Sequence, residues 1–227
     1  MAIRSWIRKL FASRTPRTIR KAPARFQPCL ENLEDRLAPA TFNLEINPAL
    51  DNAGAVAELI GAINTANGNG QSNTINLFAG GTPATYTFSA PDTYWYGPDA
   101  LPAITSALTI EGHGATLRRD PTLAQDTAHA FRFFYVSGGL AGELPLGSLT
   151  LENLTLEGGL AKGGNGFGGG GGGMGAGGAI FNQGTLKLNG VTLTDDKALG
   201  GDGSGGVGGG GGGMGEDAPK FSGNGGG

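Results

Sequence analysis

An all-β fold, a right-handed parallel β-helix with one N-terminal capping helix and Gly-rich loops, is predicted by a strand–corner–strand unit that recurs along the chain. One copy reads Leu149-Thr-Leu-Glu-Asn-Leu-Thr-Leu-Glu, and the pattern restarts at Leu186-Lys-Leu-Asn-Gly-Val-Thr-Leu-Thr. A weaker copy, Leu108-Thr-Ile-Glu-Gly-His-Gly-Ala-Thr-Leu, precedes both. In each copy the apolar residues fall on alternate positions, the period of a strand with one buried face. A polar pair, Glu152-Asn153 or Asn189-Gly190, interrupts the alternation once, so the chain turns a corner and keeps its apolar residues on one interior. Self-similarity at this spacing marks a repeat architecture, and short strands joined by corners stack into a solenoid. The residues expected inside are Leu149, Leu151, Leu154 and Leu156, then Leu186, Leu188, Val191 and Leu193.

The other elements follow from local pattern. Phe42, Leu44 and Ile46 alternate as a first strand. Asp51 or Asn52 can cap a helix whose apolar face is Val56, Leu59, Ile60 and Ile63, with Asn67-Gly68 as its stop. A helix placed there covers the open end of the apolar column, where core and unpaired strand edges are otherwise exposed. Thr74–Phe78 and Thr85–Phe88 read as strands, as does the apolar run Phe131-Arg-Phe-Phe-Tyr-Val. Gly177-Gly-Ala-Ile-Phe-Asn-Gln-Gly184 opens the last full rung.

Composition divides the chain into a basic sorting or linker segment (1–40), the β-helix (41–200) and a flexible Gly-rich tail (201–227). The first 37 residues carry nine Lys/Arg against three Asp/Glu, so the net charge of −3 hides a basic head and an acidic body. An acidic body argues against nucleic acid as a partner. Of 45 glycines, 32 lie from Gly158 onward, and the runs 168–173 and 208–213 read as flexible excursions from one corner of each rung. They lack the Lys-Ser/Thr of a phosphate loop and the repeated Asp of a Ca²⁺-binding roll. Cys29 is the single cysteine, which excludes an internal disulfide, and no stretch reaches the ~20 apolar residues of a membrane span. After Asp196 no covering rung is legible, so the C-terminal side is expected to present an open edge competent for self-association.

Residues 30–40, Leu-Glu-Asn-Leu-Glu-Asp-Arg-Leu-Ala-Pro-Ala, resemble the LExLEDRxxPA segment near the start of many planctomycete surface and exported proteins. The stretches ELIGAINTANGNGQSNTINLFAGGTPATYTF, LPAITSALTIEGHGATL, FRFFYVSGG, SLTLENLTLEGGLAKGG and GGAIFNQGTLKLNGVTLTDDKA resemble bacterial right-handed parallel β-helix repeat proteins of the adhesin-like kind. That resemblance implies a secreted or cell-surface protein with an adhesive or structural role and no fixed chemistry.

Tyr94-Trp-Tyr96, flanked by Pro91 and Pro98, is the candidate site: three flat rings can stack on the C–H face of a sugar, or fold down over the core edge. Extracellular polysaccharide or another envelope component is the expected partner. Parallel β-helices also include pectate lyases and glycoside hydrolases, which need clustered carboxylates with a basic residue, or paired acids on one wall. The acids available are Glu111, Glu152, Glu157, Asp195 and Asp196, and the bases Arg118, Arg119 and Arg132. Only Asp195-Asp196 is a pair, and as adjacent strand residues they are expected to point to opposite faces. Glu111 and Glu152 occupy equivalent positions and are expected to stack as an outward ladder. His113 and His129 show no metal-ligand spacing. No catalytic, cofactor or metal residue is assigned.

Overall fold

A computed structural model describes residues 41–45, 51–78, 83–140 and 143–220; the expected sorting segment lies outside the described residues. In chain order the elements are β1 (Thr41–Glu45), α1 (Asn52–Gly68), β2 (Asn73–Phe78) and β3 (Thr85–Phe88), then β4 (Ala107–Glu111), β5 (Thr116–Arg119) and β6 (Phe134–Val136). A hairpin of β7 (Gly138–Leu140) and β8 (Leu144–Leu146) leads to β9 (Ser148–Glu152), β10 (Thr155–Glu157), β11 (Leu160–Lys162) and β12 (Ile180–Asn182). The last rung is β13 (Thr185–Asn189), β14 (Thr192–Thr194) and β15 (Lys197–Leu199).

Strands equivalent in successive rungs pair in parallel. One sheet runs β1-β2-β4-β9-β13, a second β3-β5-β10-β14, and shorter pairs β6–β12 and β11–β15 close the remaining sides. The result is the expected all-β parallel solenoid. Register places like on like: Ile75, Ile110, Leu151 and Leu188 form one column, and Tyr86, Leu117, Leu156 and Leu193 another. Because side chains alternate faces, one such match per strand sets the whole interior.

The corners use the left-handed region. Asn153 has φ 51° and Gly190 φ 60°, at the two polar pairs singled out above, and His113 has φ 49° in the weaker copy. Asn and Gly tolerate this conformation better than most residues. Gly112 is required for a different reason: a Cβ there would overlap the Cβ of Leu154 in the next rung. Glu111 and Glu152 stack in register, and each accepts 2.8 Å from an amide one rung on, Asn153 and Asn189 respectively.

Helix α1 closes the first end of the column. Asp51 caps it, accepting from the Gly54 N–H at 3.0 Å. Its buried face is Ala55, Leu59, Ala62, Ile63 and Ala66, while Val56 and Ile60, expected inside, are half-buried at the margin. Small alanines let the helix lie close over the sheet ends, and the bulkier residues flank that contact. Two asparagines act as strand mimics. Asn52 donates to the Thr87 carbonyl and accepts from the Thr87 N–H, both at 2.7 Å, and Asn67 does the same to Ala103 O and Thr105 N at 2.8 and 3.0 Å. The β3 edge therefore finds partners without another strand.

The last copy departs from its expectation. Leu186 and Val191 pack half-buried against the core, but Leu188 and Leu193 are 41% and 51% exposed. Their register is the expected one; among the described residues nothing stacks on the far side of β13 and β14.

The glycine runs also differ, because each has the other as a partner that a single run does not reveal. Gly164 N–H bonds Gly213 O at 2.8 Å, Phe167 N–H bonds Gly210 O at 3.0 Å, and Ser204 N–H bonds Gly170 O at 3.0 Å. A Cβ on Gly170 would overlap the Gly210 carbonyl oxygen. Glycine here permits backbone-to-backbone contact, so hydrogen bonds offset part of the entropy lost on ordering.

Leu151 and Leu188 share one column at different depths, so their truncation separates position from burial. Leu151→Ala is expected to lower unfolding stability by about 2–5 kcal/mol in denaturant titration, and Leu188→Ala by under about 1.5 kcal/mol. Equal losses would mean that the rungs do not stack as described.

Candidate functional site

The aromatic candidate is built around Arg132, which lies just before β6 and is 2% exposed. Its Nε donates to Asp99 Oδ1 at 2.6 Å, Nη1 to Ala176 O at 3.0 Å, and Nη2 to the carbonyls of Trp95 and Tyr96 at 3.0 and 2.6 Å. The guanidinium also lies 4.8 Å from the Phe181 ring centroid. One planar fork thus ties the aromatic loop, through Trp95, Tyr96 and Asp99, to the Gly-rich stretch at Ala176. Tyr96 takes φ 52°, a conformation that this fork and the neighbouring Gly97 hold in place.

The three aromatics do not form one row. Tyr94 is 73% exposed, Trp95 is half-buried, and Tyr96, 37% exposed, packs its ring 5.5 Å from Tyr135 and 5.8 Å from Phe181. Tyr135 and Phe181 stack on each other because β6 and β12 pair them in register. Tyr135 hydroxyl donates to Gln183 Oε1 at 2.9 Å. The shelf therefore consists of Tyr94 and Tyr96 above a base of buried Tyr135 and half-buried Phe181. Tyr135 and Phe181 were not singled out from sequence, and the only signal for them is the β-prone run in which each lies.

Asp99 is pushed up to about 7 by burial, with the Arg132 charge and hydrogen bond pulling it back. Its second oxygen is buried without a hydrogen-bond partner among the described residues.

A second feature is a groove of about 240 Å³ where the corners after β5, β10 and β14 meet the 120–125 loop. Arg118, Glu157, Asp195 and Lys197 line it. Asp195 has φ 55° and sits in a corner, so the strand rule that would set it opposite Asp196 does not apply. Asp196 accepts from the Gly159 N–H at 2.7 Å and is pushed up to about 6, mainly by burial, with Gly159 opposing and Asp195 adding. Arg118 and Arg119 both line the groove, and the Arg118 Nε is buried with no hydrogen-bond partner. Arg119 turns inward beneath Phe131 and donates to the carbonyls of Ala124 and His129, and Arg132 serves the aromatic loop.

His113 and His129 are not brought together: His113 occupies a corner and His129 Nδ1 lies 2.6 Å from Asp126. Among the described residues no group of three or more His, Cys, Asp or Glu is arranged to hold a metal ion. No described helix is long and apolar enough to cross a membrane. Compared with models of protein families, with curated proteins and with solved structures, the chain matches none.

Asp99 and Asp196 both titrate above the ordinary carboxylate value near 4 once the chain is folded. Between those values the folded state binds more protons than the unfolded one, so the stability they contribute is full below pH ~4 and is lost as pH rises through ~6 and then ~7. The thermal midpoint is expected to fall across that window, and Asp99→Asn to flatten its upper part. A midpoint that rises from pH ~4 to ~7 would show that Asp99 is ionised in the fold and held down by Arg132.

Proposed function

We propose that this chain is a non-catalytic β-helix, secreted or displayed on a cell surface, with an adhesive or structural role in which it holds extracellular polysaccharide. The observation that carries the reading is the shelf: Tyr96 is seated on Tyr135 and Phe181, its carbonyl held by buried Arg132, with Tyr94 exposed beside it. A ring held in advance loses little conformational freedom on binding, which favours contact with the flat apolar face of a sugar. The resemblance of the repeats to adhesin-like β-helix proteins points the same way.

Binding to insoluble polysaccharides, measured by depletion from solution, tests this. Tyr96→Ala and Tyr94→Ala are each expected to weaken binding by roughly three- to tenfold, the scale of one aromatic contact, without lowering the β-sheet circular dichroism. Retention of full binding by both variants would remove the shelf from the function.

A polysaccharide lyase or glycoside hydrolase is the second reading, favoured by Asp196, which is pushed up to about 6 and accepts from Gly159, a residue that lines the groove with Arg118. Release of unsaturated ends from polygalacturonate, with and without Ca²⁺, separates the two. Among the described residues no strand pairs with the far edge of β13 or β14, and this edge, with Leu188 and Leu193 exposed, supports self-association as a further part of the structural role. Sedimentation at tens of micromolar is expected to detect species larger than the monomer, and Leu193→Lys to reduce them.

A further inference from the structure

We propose that the groove takes one zwitterionic sugar unit, an amino sugar that also carries a carboxylate, with the carboxylate on Arg118 and the ammonium on Glu157. The site shares no residue with the aromatic shelf, so it stands or falls apart from it.

Charges that line this groove do not pair with each other. Arg118 and Glu157 are direct partners in register on β5 and β10, strands ~4.8 Å apart, yet among the described residues no ion pair joins them. The Arg118 Nε is buried without a hydrogen-bond partner. Lys197, on the same groove, reaches only Gln125, at 3.4 Å. Opposite charges this close ordinarily satisfy each other; here a cationic pair, Arg118 and Lys197, and an anionic pair, Glu157 and Asp195, both open onto one space. A ligand bearing one charge would meet an unmatched like charge, whereas one bearing both would be complemented on each side.

The space suits a single small unit. Its ~240 Å³ lies below the range of drug-sized pockets. One wall is apolar, with Leu123 on the 120–125 loop, and it is held in advance: Arg119 donates to Ala124 O at 2.5 Å, and Asp120 accepts from the Thr122 N–H and hydroxyl at 2.9 and 2.7 Å. Such a wall matches the C–H face of a pyranose. An extended peptide is disfavoured, because β5 and β10 lie inside their sheet with both edges already paired, so no strand can be added there.

Titration calorimetry on the full chain tests the proposal with four soluble probes. Muramic acid carries both charges on a pyranose, N-acetylmuramic acid only the carboxylate, glucosamine only the ammonium, and alanylalanine both charges without a ring. Muramic acid is expected to bind about tenfold or more tighter than the other three. Arg118→Gln should reduce it to the level of glucosamine, and Glu157→Gln to that of N-acetylmuramic acid, with thermal midpoints unchanged. If either variant melts early, Lys197→Gln, on the exposed strand β15, replaces it and is expected to weaken muramic and N-acetylmuramic acids while sparing glucosamine. Muramic acid binding no tighter than its singly charged analogues would overturn the proposal, and so would a dipeptide that binds as well.

Discussion

A parallel rung can bury its apolar face only against the next rung, and everything else in this fold answers to that constraint. Inside the stack it is met by register: Ile75, Ile110 and Leu151 lie in one column and are fully buried, and Tyr86, Leu117 and Leu156 repeat the arrangement on the second sheet. At the ends register has nothing to match. The first end is closed by α1, whose alanines lie over the column while Asn52 and Asn67 supply the donor and acceptor that a missing strand would have offered. The last described rung has no such cover, so leucines in the same columns change from core to surface.

Rigidity at the shelf arises from the same economy of partners. The loop that bears Tyr94 and Tyr96 is held by isolated bridges only, Thr93 to Asp99 and Asp99 to Arg132. Arg132 replaces a ladder by collecting three carbonyls and one carboxylate on one buried guanidinium. Burying that charge without Asp99 would be strongly unfavourable, and burying Asp99 without the full complement of donors is what lifts its titration toward neutrality. The shelf and the pH response are therefore two consequences of one contact.

The two glycine runs show how composition can conceal order. Each run alone is a low-complexity stretch that loses much entropy on ordering. Set side by side by the stacking of β11 on β15, they approach so closely that backbone carbonyls occupy the space of a side chain. Glycine is then a packing residue, and the ladder between runs continues the solenoid's own logic without side chains.

By itself the sequence determined the repeat, the alternation, the corners at Asn153 and Gly190, the capping helix and the outward Glu111–Glu152 ladder, since each is a short-range pattern with one low-energy solution. It also marked Tyr94, Trp95 and Tyr96, but not which of them would face solvent. Only the tertiary structure decided that Tyr96 rests on Tyr135 and Phe181, that Arg119 and Arg132 bond to backbone carbonyls while the Arg118 Nε has no hydrogen-bond partner, and that the glycine runs bond to each other. Those outcomes join residues from different rungs. Local pattern carries no term for such pairs, because their contact depends on how many residues each excursion inserts before the chain returns to register.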